Sequence, residues 1–324
     1  MSRIFQGLRE GALAVGRRPR RQLIGDGLMV VVPPAGFFVA SLVYNNQLLL
    51  LTMMVYVALA QGLNVIFGFT GYLPFGYVGF FGAGAYGTAL SVHFLHAPIL
   101  VAVLLGGVAG LAVAALLSPL LRLSGAYFAI ASLAAAEALY YLISNPQLTA
   151  VTNGPYGVNL ASVYNSGAAY LAAVVLVGVA MLCVVWVRRS HFGMALRAIR
   201  ADPLAARMAG VNVVRARTLA WLISATLAGL AGAIYAWAVS VFYATAVFDL
   251  SISVFAIVFA LFGGVGTVLG PLLGAVVLYG VYNYIGISQP QDFQLIYGVL
   301  IVLIVLFLPN GLLSIRLRSL WRGR

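Results

Sequence analysis

RRSHFGMALRAIRADPLAARMAGVNVVRAR, residues 188–217, is a polar island between two long apolar runs. It holds seven arginines (Arg188, Arg189, Arg197, Arg200, Arg207, Arg215 and Arg217), and Asp202-Pro203 interrupts a helical pattern at its middle. The pattern predicts two short helices, Gly193 to Arg200 and Leu204 to Gly210, because proline suits a first helical turn. Ala195, Ala198, Ala205, Ala206 and Ala209 recur along it as a small-residue face fit to sit in a groove of another protein. A loop that only fixed topology would need the arginines but not the alanines. Short arginine-rich loops stay on the cytoplasmic side of a membrane. The segment is therefore expected to receive force from a cytoplasmic partner.

Everything around the island reads as membrane. The chain is 63% hydrophobic and 7% charged, whereas a soluble domain carries about 25% charged residues. Its net charge of +12 does not point to nucleic acid. All 18 lysine-plus-arginine positions are arginine: six precede Leu23, seven lie in the island, four follow Ser314, and Arg122 stands apart. That clustering is what the positive-inside rule produces, with anionic lipid headgroups as partners of most of the charge. A single cysteine, Cys183, excludes an internal disulfide or a cysteine metal site. The segment from Arg3 to Gln22 resembles the basic front of a signal peptide. The run after it contains Asp26 and Pro33-Pro34 and shows no small-residue cleavage site, so it reads as a retained first span.

Spans of about 20 apolar residues, fewer where a helix is broken, fall at 23–43 (kinked at Pro33-Pro34), 47–67, 75–94, 98–121, 125–144 and 168–187 before the island. After it they fall at 218–238, 250–262, 268–285 and 293–308. The expected fold is an all-α integral membrane protein of about ten transmembrane helices, some short or glycine-broken. One transmembrane domain, 23–312, lies between basic cytoplasmic segments 1–22 and 313–324. An even number of spans on each side of the island puts all three arginine clusters, and Arg122, on one face. Gly76, Gly79, Gly82 and Gly84 mark a helix packed very closely or partly unwound, while Gly106/Gly110 and Ala225/Gly229/Ala233 have the spacing that lets backbones approach. Residues 145–167 form the longest loop on the side opposite the arginines.

Catalytic motifs are missing. GAGAYG (Gly82, Gly84, Gly87) fits the dinucleotide fingerprint as a string, yet no acidic residue follows before Glu137. A phosphate-gripping Walker loop requires a lysine, and the chain contains none. ATP, if used, is bound by another subunit, and no cofactor is expected here. His93 and His96 could share a metal but lack a visible third ligand, so an interfacial pair is favoured. Glu137, mid-span in FAIASLAAAEALYY, is costly unless it faces a cavity or a partner. It reads either as a pathway group or as a structural hydrogen bond. Asn64, in QGLNVIFGF, reads as polar glue between helices or as a pathway residue. Asp249 and Asp292 at span ends read as caps.

The island, continued as FGMALRAIRADPLAARMAGVNVVRARTLAWLISATLAGLAGAIYA, closely resembles the coupling region of the branched-chain amino acid permeases of ATP-driven importers, the LivH/LivM family, and especially its LivM branch. Gly62-Leu63-Asn64, Gly68, Gly71, Gly76, Phe80 and Gly84-Ala85-Tyr86 follow that family's early pattern. LRLSGAYFAIASLAAAEAL, GGVGTVLGPLLGA and LIYGVLIVLIVLFLPNGL resemble its later motifs. The resemblance implies an importer permease in the bacterial inner membrane, with both termini cytoplasmic. It also implies a second LivH-like permease chain, two cytoplasmic ATP-binding subunits and an extracytoplasmic substrate-binding protein that meets the 145–167 loop. Gly193, Arg197, Arg200, Asp202, Ala205, Ala206 and Gly210 would then couple to the ATPases, and Asn64, Tyr86, Glu137 and Phe255 would border the substrate path. Leu204 stands where many permeases carry glutamate in this motif, and Tyr77 and Phe255 where relatives often have histidine and glutamate. Leucine-type cargo thus competes with urea, short amides or sugars. An ion-coupled transporter and a non-transporting scaffold are the rivals from other classes.

Overall fold

A computed structural model describes residues 20–44 and 46–288, together with 298, 299, 302, 311 and 312. The long helices are α1 (Arg20–Val43), α2 (Gln47–Leu63), α3 (Val78–Leu95), α4 (Ile99–Leu116), α5 (Ala126–Ile143) and α6 (Ser166–Arg189). Two short helices follow, α7 (His191–Ala201) and α8 (Pro203–Met208), and then α9 (Val213–Val239), α10 (Leu250–Gly263) and α11 (Gly270–Ser288). Seven helices among the described residues are long and apolar enough to cross a membrane, and Gly27–Val43 is a shorter apolar stretch. The last expected span, 293–308, and the Asp292 cap lie outside the described residues.

Helix starts obey local chemistry. Asn46, Asn165, Ser190, Asp202, Asn212 and Asp249 each accept a backbone N–H of the first turn that follows, as at Leu49 (3.1 Å) and Ser251 (2.7 Å). Such caps satisfy donors that a helix cannot pair internally. Asp249 is thus the cap that was expected. The fourth span stops at Leu116 instead of Leu121, because Pro119 cannot donate and a 3-10 turn, Ser118–Arg122, takes over. The seventh begins at Val213 instead of Thr218, since Asn212 caps it there through Arg215 N. The helix α1 runs on through Pro33 and Pro34.

The centre is α3, α4 and α9, packed through small residues. A Cβ at Gly84 would overlap the Gly229 carbonyl, and one at Gly232 would overlap that of Phe81. One at Gly110 would stand 2.9 Å from the Ala225 oxygen. Lipid tails are as apolar as leucine, so close van der Waals packing rather than water exclusion holds such helices together. Trp221 finishes the junction, donating to the Ala114 carbonyl at 3.0 Å and meeting Phe80 edge-on at 4.8 Å. The GAGAYG string is therefore helical packing surface. Around this centre stand α2, almost wholly buried, and α5, with only 17% of its span buried.

The 145–167 loop is less free than its composition suggests. It forms short helical turns and a strand, β1 (Val158–Asn159), which pairs antiparallel with β2 (Val241–Phe242) in register Val158↔Phe242. Trp237 donates to the Val163 carbonyl at 3.0 Å. These links tie the loop to the end of α9.

Candidate functional site

The island folds as the two helices it predicts, one to two residues from the expected ends. Gly193 is required because α7 doubles back so tightly on α6 that a Cβ would overlap the Val187 carbonyl. Leu196 and Ile199 point inward and are buried, as is Ala206 on α8. Asp202 caps α8 through Leu204 N (2.7 Å) and Ala205 N (3.2 Å), with Pro203 at the first helical position. Gly210 ends α8 at φ +86°, a left-handed conformation that glycine adopts without strain. Outward stand Met194, Arg197, Ala198, Leu204, Ala205 and Met208, all exposed. Arg197 therefore points outward from α7.

Arg200 does not. It reaches back to donate from Nη1 to the carbonyl of Gly68. Gly68 closes a five-residue π-turn, Asn64–Gly68, that continues α2, and such bulges recur at functional sites. Within the turn Asn64 is fully buried, and each end of its amide is engaged. Its Nδ2 donates to the Thr267 carbonyl at 2.8 Å, and its Oδ1 accepts from Gly266 N at 2.7 Å. One turn earlier, buried Gln61 donates to the Val268 carbonyl at 2.7 Å. The turn between α10 and α11 is thereby held against the end of α2. Gly264 and Gly266 make that turn possible at φ +110° and +80°, and Gly311 packs so closely that a Cβ would lie 2.5 Å from Gly264 Cα. Four motifs more than 40 residues apart in sequence thus converge on one glycine node beneath α7.

The pathway residues do not form one cluster. The amide of Asn64 is committed to the node. Tyr86 is buried on α3, edge-on to Phe242 at 5.5 Å, and its hydroxyl has no hydrogen-bond partner among the described residues. Phe255 belongs to an aromatic group with Tyr56, Phe259 and Tyr282 at centroid distances of 5.1–6.0 Å. Nearby, Thr52, Tyr56, Tyr235, Asp249 and Ser251 border a cavity of about 250 Å³. Glu137 is exposed on the outer face of α5 beside Ala134, Ala138 and Tyr141. A carboxylate on a lipid-facing surface is costly, so that face requires protein or water against it. His93 and His96 are exposed at the end of α3.

Further polar contacts come from residues whose partners are remote in sequence. Gly76 N donates to Ser132 Oγ at 3.2 Å and Val78 N to Ser253 Oγ at 2.7 Å, so serines of α5 and α10 satisfy the start of α3. Tyr77 is buried and donates to the Ser224 carbonyl at 2.9 Å. Short apolar surroundings give a lone serine no sequence signal.

Compared with known proteins, residues 47–306 match the family described as the permease component of branched-chain amino acid transport systems. The chain is 30% identical to the high-affinity branched-chain amino acid transport system permease protein LivM of Salmonella typhimurium and to that of Escherichia coli. Each match covers 80% of this chain and 68% of the relative. A fructose import permease, FrcC of Rhizobium meliloti, is 36% identical over 40% of this chain and 39% of its own. No solved structure matches. The coverage of the family match, which takes in α7, α8 and the node as far as the α10–α11 turn, makes the conclusion plain: this multi-pass membrane chain is a non-catalytic permease subunit of the branched-chain amino acid family of ABC importers.

Proposed function

We propose that the chain forms half of the translocation pathway of an inner-membrane importer for a branched-chain or related amino acid, paired with a second, LivH-like permease. The observation that carries this reading is the Arg200 brace. Helices α7 and α8 offer an exposed apolar ridge (Met194, Leu204, Met208) to a cytoplasmic ATPase, and Arg200 links the same helices to the Gly68 carbonyl. Closure of two ATPases on ATP would move α7, and the brace would transmit that movement to the end of α2 and the α10–α11 turn. Switching by closure of paired domains is an ordinary mode. The outer face of α5 would meet the second permease, which gives Glu137 a protein or water-filled environment at the path. The loop tied by β1 and β2 would receive the binding protein, with both termini on the ATPase side.

The test is uptake by proteoliposomes holding the whole complex and its binding protein, loaded with ATP and treated with ionophores. Labelled leucine is expected to accumulate without any ion gradient, and Glu137→Gln to leave that ATP dependence in place. Uptake that requires a gradient would overturn the importer mechanism. Uptake of urea or fructose in place of leucine would overturn the amino acid assignment alone.

A further inference from the structure

We infer that the cytoplasmic end of α4 and α9 carries a specific site for the phosphodiester of an anionic phospholipid. A cavity of about 370 Å³ lies between the Ser118–Arg122 turn, α8 and the first turns of α9. Arg122, Arg207 and Arg217, one from each element, line it together with Ser118, Thr218 and Val214. None of the three arginines forms an ion pair among the described residues. Arg217 is held in place by its guanidinium carbon, 4.2 Å over the Tyr72 ring, while its Nε is enclosed without a hydrogen-bond acceptor among the described residues.

Three positive charges gathered around one space repel one another, so the arrangement favours an anion that brings acceptor oxygens. Basic pockets between transmembrane helices on the cytoplasmic side are suited to anionic headgroups. The neighbouring surface decides between a lipid and a soluble anion. Val214 in the cavity lining is 67% exposed, and Leu116 and Leu219, within two residues in sequence of the lining, are 73% and 51% exposed; acyl chains lie on this apolar surface while the phosphate enters. The site is independent of which solute the importer carries.

The experiment purifies the whole complex after incorporation into vesicles of phosphatidylcholine with phosphatidylglycerol, and measures the ratio of the two lipids retained. Phosphatidylglycerol is expected to be enriched, and Arg122→Gln and Arg207→Gln each to reduce the enrichment about tenfold, the effect of losing one hydrogen bond between charged groups. Arg215→Gln removes the same charge from an exposed position of α9 outside the cavity and is expected to change the ratio little. Equal losses in all three variants would mean diffuse attraction and overturn the site. Displacement of the bound lipid by inorganic phosphate alone would reassign it to a soluble anion. Release of the ATPase subunits with the lipid ratio unchanged would make the cavity a protein contact and overturn the proposal.

Discussion

Two regions of this molecule are crowded with glycine, and they use it in opposite ways. In the centre, Gly84, Gly106, Gly110, Gly229 and Gly232 all have ordinary right-handed helical backbone. At Gly84, Gly106, Gly110 and Gly232 the neighbouring helix leaves no room for a Cβ, and at Gly229 the fit would be tight. At the node, Gly71, Gly264, Gly266 and Gly311 have φ between +73° and +110°. They are glycine because the chain turns in a way other residues adopt only with strain. The centre is therefore backbone pressed on backbone. The node is a set of turns held by a few side-chain hydrogen bonds from Gln61, Asn64 and Arg200. Packed contact resists gradual deformation, whereas hydrogen-bonded turns can exchange partners. Under the proposed coupling, the centre is the rigid region and the node the transmitting one.

The largest effect should come from filling the centre. Gly84→Val places three carbon atoms where the Gly229 carbonyl stands, and no flexible side chain can yield. Overpacking ordinarily costs about 1–3 kcal/mol, and a clash with rigid backbone belongs at or beyond the upper end. Heat unfolding in detergent should show a strongly lowered midpoint and a poor yield of monodisperse protein. A variant that melts like the wild type would break the comparison at its rigid half.

A smaller loss is expected from Asn64→Leu. The side chain keeps its approximate size, but Gly266 N and the Thr267 carbonyl lose their partner at a partly buried position. An unpaired buried group costs about 1–3 kcal/mol. The protein should assemble and melt moderately lower, and ATP turnover should become less dependent on delivered substrate. Normal stability with normal substrate stimulation would show that the node is not held by this amide.

Much of the fold was legible because its causes are local. Span positions follow from apolar runs, and of the capping residues Asp249 was read in advance, whereas Asn212 was missed and moved the start of α9 five residues earlier. The helix break at Asp202-Pro203 was equally plain, since capping and proline act within a single turn. The glycine pairs of α4 and α9 announced close packing but not which helix each would meet. The node was invisible for a different reason. Asn64 and Gly266 are 202 positions apart, and nothing in GGVGT says which buried amide will bind it. Glu137 stood out as a carboxylate in an apolar run. Only the fold shows that it lies on an uncovered face of α5 instead of inside the bundle.

The finest test separates two arginines on one short helix. Arg197 and Arg200 are three residues apart on α7, carry the same charge and belong to the same recognisable motif. Arg197 points outward, where substitution usually changes stability by no more than about 0.5 kcal/mol. Its loss should act only through the ATPase surface, as a modest fall in the fraction of complex that co-purifies. Arg200 spans from α7 to the Gly68 carbonyl. Water can replace its hydrogen bond at this partly open position, so Arg200→Ala should leave folding and co-purification near normal. The mechanical link, however, has no substitute. Uptake per ATP hydrolysed is expected to fall about tenfold in Arg200→Ala, a change of about 1.4 kcal/mol in coupling within the usual range for linked sites, and to stay unchanged in Arg197→Ala. If both variants lose docking and keep their coupling ratio, α7 is a uniform docking surface and the node is packing like the centre. If only Arg200 uncouples, the two glycine-rich regions differ in function as they do in backbone.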